Sequence, residues 1–498
     1  MVLSAVEPGL SVAPAAGLPL GTLISVVAAL AAVLAVVLRA SANFLRGSRP
    51  PIDEGIPFVG GLIKFSKGPL SLLQSMYARH GEVFTVPLLH RRMTFLLGPS
   101  VSPHFYNGND DTMSQTEVYR FNVPTFGKGV VYDVDQKVRS EQFRLVADAL
   151  RSSKLKGYVP ALVDEAEKYF GAWGETGVVD LFEEFSRLII LTASRTLMGR
   201  EVRESMFDRV AGLYHDLDDG MRPISVLFPY LPTEYHRKRD RAREQLKEIF
   251  AGIMARRRAE GVVGDDMLQT LMDGRYKSVN GGRQLNSDEV TGLLIALLFA
   301  GQHTSSTTSA WTGYFLAAAD PKHYAALEKE QRACIDAFGD EISFEALQSL
   351  DYLHRCITEA LRINPPLVLL MRYAKQPFTV TDSAGKSYTI PKGDVVATSP
   401  TFQHRMDSLF PRPLHFEPDR FAPPRDEDKA KPFTFIGFGG GRHGCMGQMF
   451  AYLQIKTIWS ILIREFTFEL VDPFPEPNYQ SMVIGPLPCR VRYTRRKL

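Results

Sequence analysis

Apolar positions change rhythm along this chain, and each change predicts an element. From Gly21 to Leu38 the eighteen residues GTLISVVAALAAVLAVVL carry no charge. At ~1.5 Å rise per residue they reach ~27 Å, the thickness of a thin bilayer. Gly81–Val86 and Met93–Leu97 flank the basic residues His90-Arg91-Arg92, which predicts a hairpin. From about Val138 to Leu361 the apolar spacing is mostly helical. The longest helix is predicted to start at Asn286, where Glu289 completes a capping pair, and to end near Ala319, before Asp320-Pro321. Its length of ~50 Å would cross a whole domain. Beyond Pro365-Pro366 come short strands, Phe378–Val380 and Tyr388–Ile390, around the turn residues Ala384-Gly385-Lys386. An irregular stretch leads to Gly444, one more helix follows, and strands close the chain. The result is mainly α with a minor β part, not an alternating βαβ pattern.

Nothing between Pro50 and Leu498 reads as a linker or a repeat, so one large domain is predicted over residues 58–498. Glu7 is the only charge ahead of the apolar run, while Arg39, Arg46 and Arg49 follow it. The positive-inside tendency then makes residues 1–20 a short lumenal N-terminus and 21–38 a single transmembrane anchor. Residues 39–57, with Pro50-Pro51 and Pro57, become a basic, proline-rich leader, and the large domain faces the cytosol. A ~27 Å span suits the endoplasmic reticulum membrane. Ala40-Ser41-Ala42 leaves open a cleaved signal peptide, against which stands the lack of any Lys or Arg ahead of the run.

Composition narrows the picture. With 45% hydrophobic and 23% charged residues the chain is ordinary globular protein, and a net charge of +3 does not suggest nucleic acid. The four cysteines, Cys334, Cys356, Cys445 and Cys489, form no closely spaced pair, which argues against zinc, iron–sulfur and disulfide frameworks. One of them has special surroundings. Phe438 to Gly447 reads FGGGRHGCMG: glycines, a basic pair, then Cys445 at the entrance to an apolar helix. Glycines permit a tight turn and close approach to a flat ligand. A helix N-terminus favours a thiolate, the ligand with which a haem iron cleaves dioxygen. Arg442 and His443 are placed to meet haem carboxylates. The bland alternative is a buried structural cysteine beside a glycine-rich loop.

Those residues match the haem signature of the cytochrome P-450 family at Phe438, Gly441, Cys445 and Gly447. Glu359-Ala360-Leu361-Arg362 and Phe416 to Phe421 (FEPDRF, with Asp419 where the family has Glu) resemble two further family motifs. The resemblance implies the P-450 fold, with haem b between a long central helix and the cysteine-loop helix. It also implies a buried structural triad of Glu359, Arg362 and Arg420 behind the haem. In the long helix, Ala300-Gly301-Gln302-His303-Thr304-Ser305 is a polar cluster in an apolar stripe. Its hydroxyls can bond back to the preceding turn and open a groove for oxygen and water. This AGQHTSS stretch, with His303 where most of the family carries an acid, resembles the sterol 14α-demethylase branch. So does Tyr119 to Asp133 (YRFNVPTFGKGVVYD), while Gly220 to Pro232 resembles the plant and green-algal members.

By that resemblance Tyr119, Tyr132, Arg144 and Arg372 would contact haem propionates, and His303 and Thr304 would serve proton delivery. Phe121, Phe126, Met221, Phe299, Ala300, Leu367 and Met482 would face the substrate. The implied reaction is removal of a sterol 14α-methyl group by three successive oxidations. Each uses O2 and two NADPH electrons, and the products are formate and a 14,15-unsaturated sterol. Obtusifoliol would be preferred over lanosterol-type sterols, and azole-type inhibitors are expected to bind. The chain shows no dinucleotide or flavin motif of its own, so electrons would come from NADPH-cytochrome P-450 reductase. The basic runs His236–Arg243 and Arg256-Arg257-Arg258 offer it a docking surface; a solvated helix face or lipid contact is the alternative. A haem-thiolate isomerase or dehydratase and a non-catalytic haem sensor are the other function classes, and dependence of turnover on NADPH separates them.

Overall fold

The computed structural model describes residues 48–53, 60–88 and 91–496. The chain divides into two units, residues 1–49 and residues 50–498. The predicted lumenal segment and anchor lie outside the described residues, as do Arg39, Arg46 and Pro57 of the leader. Among the described residues no helix is long and apolar enough to cross a membrane. The second unit begins earlier than residue 58. Asp53 donates its N–H to the Thr85 carbonyl and Thr85 donates to Pro51, so the end of the leader is stitched to a sheet edge.

In chain order the strands are β1 (Val83–Leu88), β2 (Arg91–Leu96), β3 (Met113–Ser114), β4 (Thr176–Asp180) and β5 (Leu370–Ala374). They continue with β6 (Phe378–Thr381), β7 (Ser387–Ile390), β8 (Val395–Thr398), β9 (Phe466–Leu470) and β10 (Arg490–Arg495). A five-stranded sheet has the order β1-β2-β8-β5-β3, a three-stranded one β4-β10-β9, and β6 and β7 pair alone. The predicted hairpin is there, with Val83 opposite Leu96, and so is the β6–β7 turn. β8 is buried at every position, so it shows no alternation for a periodic reading to find.

The site is framed by helices α1 (Ser102–Tyr106), α2 (Gln136–Ala149), α3 (Leu181–Ala193), α4 (Phe207–Asp219), α5 (Glu234–Glu260), α6 (Ser287–Ala318), α7 (Asp351–Ile363) and α8 (Gln448–Glu465). α6 is the long helix foreseen, 32 residues capped by Asn286 with a reciprocal box from Glu289. Asp320 does more than end it: its side chain accepts from the Lys322 N–H and caps the next helix. The large cluster of buried apolar side chains includes Trp311 and Tyr314 of α6, Phe185 of α3, and Trp459 of α8. α5 departs from a uniformly solvated basic face. His236, Arg239, Arg243 and Arg257 are buried. Arg257 pairs with Glu201 and Asp266, each at 2.7 Å, and Arg239 donates to the Pro229 carbonyl. Of the two basic runs, Arg237, Lys238, Arg241, Arg256 and Arg258 are the cations left at the surface.

Candidate active site

The loop before α8 is built on its glycines. Gly439 and Gly441 have φ of +70° and +60°. A Cβ on Gly441 would lie 2.1 Å from the Tyr106 carbonyl, so only glycine lets α1 and this loop touch. The Cys445 N–H donates to the Phe438 carbonyl (2.9 Å), which turns the chain back on itself and sets the thiol at the loop's tip. Burial pushes the Cys445 thiol up, and the N–H groups of Gly447 and Gln448 draw it down, as the start of α8 should.

Cys445 opens into a cavity of about 920 Å3, at the upper end of the ~300–1,000 Å3 common for ligand pockets. The middle of α6 lines the same cavity. There Thr304 Oγ1 donates back to the Ala300 carbonyl at 2.7 Å, and Ser306 and Thr308 bond back likewise, at 2.9 and 2.8 Å. The expected hydroxyl pattern is present. His303 Nε2 lies 2.9 Å from Asp218 Oδ1 of α4, a partner that no local motif in the sequence marked. The predicted substrate residues Phe121, Phe126, Met221, Phe299, Ala300, Leu367 and Met482 all line this cavity.

Tyr119, Tyr132, Arg372 and His443 also line the cavity, as do Phe438 and Gly447. Burial draws the Arg372 guanidinium down to about 10. Its Nη1 donates to the Gly108 carbonyl (3.1 Å), its Nε is buried without a partner, and it stacks over the Phe105 ring. Arg144, Arg442 and Gly441 are not brought to the cavity. The Arg144 guanidinium turns to Glu141, Asp148 and the Arg275 carbonyl, because its position on α2 faces the loop after residue 274. Arg442 is exposed, and Gly441 backs onto Tyr106. Five residues earlier on α2, Arg139 is 1% exposed and reaches Asp110 and Thr116. The sequence held no signal for it.

Glu359, Arg362 and Arg420 meet with no solvent exposure. Arg362 Nε is 2.6 Å, and Arg420 Nε 3.1 Å, from the Glu359 carboxylate. They lie off the cavity wall. Arg362 also donates to the carbonyls of His404 and Pro413, so the triad pins the irregular stretch leading to the cysteine loop. Asp419 points outward to Arg355, and Glu417 and Glu427 supply the further carboxylates on Arg420.

Does this site fit a haem? Among the described residues no group of three or more His, Cys, Asp or Glu converges to hold a bare metal ion. A single thiol suits a metal that arrives with most of its ligands in place. A glycine loop and α6 lining one cavity, with an under-partnered buried guanidinium in its wall, suit a flat group with carboxylates. The residues fit.

Comparison with known proteins agrees. The family described as Cytochrome P450 matches residues 50–492. The chain is similar to the obtusifoliol 14-alpha demethylase of Triticum aestivum, with 56% identity over 90% of this chain and 99% of that one. It is similar to the sterol 14-demethylase of Arabidopsis thaliana, 56% identical over 90% of this chain and 92% of that one. The lanosterol 14-alpha demethylase of Homo sapiens is 41% identical over 90% and 87%. Among solved structures, retinoic acid bound cyanobacterial CYP120A1 superposes with a TM-score of 0.77 over 90% of this chain and 99% of that chain. At 22% identity that likeness speaks for the fold alone.

Proposed function

Because the chain belongs to the cytochrome P450 family, we propose that it removes the 14α-methyl group of a sterol, as the named plant and animal relatives do. The observation that carries this reading is one cavity joining the Cys445 thiol, the AGQHTSS stretch of α6 and the Tyr119–Asp133 segment. Cys445 would hold haem b, which would supply the dioxygen chemistry with two electrons per oxidation from NADPH through a separate reductase. The protein's own groups do the rest. Phe121, Phe126, Phe299 and Leu367 make an apolar chamber that excludes water and orients a rigid polycyclic substrate. His303, seated against Asp218, and the Thr304 hydroxyl hold protons on the oxygen side of the chamber. Arg372, His443, Tyr119 and Tyr132 present donors to the carboxylates of the prosthetic group.

Phe121 is the selector between sterols. It is 8% exposed, with its ring 6.4 Å from that of Tyr119, and a rigid ring there leaves less room beside the substrate than a leucine would. A sterol with a single 4α-methyl, such as obtusifoliol, fits better than a 4,4-dimethyl sterol such as lanosterol. One methyl in an apolar pocket is worth ~1–3 kcal/mol, roughly 10–200-fold. The test is competition between the two sterols with a reductase and NADPH, read by mass spectrometry, on wild type and Phe121→Leu. The ratio of kcat/KM should move toward lanosterol in the variant; an unmoved ratio removes Phe121 as selector, and no demethylated product from any 14α-methyl sterol removes the function.

The apolar run 21–38 followed by Arg39, Arg46 and Arg49 supports a single-pass anchor in the endoplasmic reticulum membrane, with the catalytic unit in the cytosol. The exposed side chains of Ile224, Phe228 and Tyr230 follow closely on the cavity-lining Met221 and Arg222, and suit a face turned to lipid. The surface cations of α5 remain available to reductase or to anionic headgroups.

A further inference from the structure

Between α1 and β3 the chain lies across the cysteine loop as a strap, and Arg372 and His443 of the cavity wall are both tied to it. Its path is fixed locally. Asn109 Oδ1 accepts the N–H groups of Asp111 and Thr112, at 3.1 and 2.8 Å. A Cβ on Gly108 would fall 2.0 Å from the Met113 methyl. The Tyr106 carbonyl meets Gly441 with no room for a side chain. At the centre of the strap stands one carboxylate, Asp110. Its Oδ1 is 3.1 Å from His443 Nε2, in the cysteine loop, and 3.4 Å from Arg139 Nη2 of α2. Its Oδ2 accepts from Gln136 Nε2 at 2.8 Å. The main chain of the strap takes two further cations: Arg372 donates to the Gly108 carbonyl and Lys375 Nζ to that of Asp110.

An anion beside a rim built to receive the carboxylates of a prosthetic group is electrostatically adverse. It repels like charge and shares the cations that would otherwise be free for the ligand. A neutral acceptor would have satisfied the same N–H groups. We propose that Asp110 is a positioning residue for the haem: its carboxylate holds His443 and Arg139 in place, locks the strap over the cysteine loop, and biases the iron toward the oxidised state by its charge. The inference rests on the haem reading of the site. A group one step removed from a cofactor's contacts orients those contacts and tunes the cofactor, and losing such a partner commonly weakens binding ~10–100-fold. Asp110 is 17% exposed in its side chain, so part of its charge is screened, and the effect on the iron is a shift rather than a switch.

The test uses the full-length holoprotein without sterol. Asp110→Ala, Asp110→Asn and Asp110→Glu are compared with wild type by transfer of haem to excess apomyoglobin and by the ferric/ferrous midpoint potential. A thiolate-type carbon monoxide spectrum in wild type checks the haem reading separately, so its failure is told apart from failure of Asp110. Asp110→Ala is expected to lose haem about tenfold faster. Asp110→Glu, which keeps acceptor and charge, should recover most of that loss. Asp110→Asn keeps an acceptor for His443, so it should hold haem nearly as wild type does while its midpoint moves to a more positive potential. If Asp110→Ala does not fold, the potential of Asp110→Asn alone decides. Wild-type haem loss in Asp110→Ala, or an unmoved potential in Asp110→Asn, overturns the proposal.

Discussion

Cys334, Cys356 and Cys489 are buried, and Cys445 alone of the four opens into the cavity. Burial drives the Cys356 thiol far up, so it has no access to a thiolate role at neutral pH. Reduced Cys445→Ala under carbon monoxide should therefore lose the thiolate-type Soret band, while Cys334→Ala, Cys356→Ala and Cys489→Ser keep it. A thiolate spectrum persisting in Cys445→Ala would end the assignment. Cys445, His303, Thr304 and Tyr119 could be read from the chain because each sits in a local motif whose chemistry constrains its neighbours. Arg144 and Arg442 could not be placed that way, since the direction of a long side chain is chosen by tertiary partners. Asp110, Arg139, Asp218 and His404 carry no local mark; they matter only through residues far away in sequence.

At the scale of elements, α6 was the most legible part of the fold, because a capping box, an apolar stripe and an Asp-Pro stop are all local. Its polar middle predicts behaviour. His303→Ala removes the contact with Asp218, and Thr304→Ala the hydroxyl bonded to Ala300. Both variants should bind sterol as wild type does and divert NADPH electrons to peroxide. Unchanged coupling in both, measured as product formed per NADPH consumed, would remove them from proton delivery. The link between α7 and the cysteine loop was not legible at all. It is His404, whose Nδ1–H donates to the Arg362 carbonyl (3.1 Å) and whose Nε2 accepts the Ile436 N–H (2.9 Å). Only the neutral ring satisfies both, and burial draws His404 down to about 3. The unfolded chain takes up this proton near pH ~6.5. Stability from His404 is thus full above pH ~6.5 and is lost as the pH falls from there toward 3. Thermal midpoints between pH 7 and 5 should fall less steeply in His404→Gln than in wild type, from a lower starting value. Equal slopes would move the acid sensitivity elsewhere, for example to His354, which burial draws down to about 4.

Across the whole molecule, the mainly helical class with a minor β part was readable, and the sheet order was not. Helical periodicity is written within one segment, whereas β2 finds its parallel partner β8 some three hundred positions later, and β4 pairs with β10. The cavity is assembled in the same non-local way. Its walls draw on Phe105 and Tyr119 from the first quarter of the chain, α6 from the middle, and Cys445, Met482 and Gly485 from the last tenth or so. That has a consequence for the order of events in the cell. A ribosome adding roughly 5–20 residues per second has finished the strap and α6 well before it reaches the thiol. Until then the nascent chain presents half a chamber, with apolar walls facing water and no ligand for iron. Insertion of the prosthetic group through Cys445 therefore follows synthesis of the strap and α6. Through that interval the unfilled apolar walls are open to chaperones and proteases.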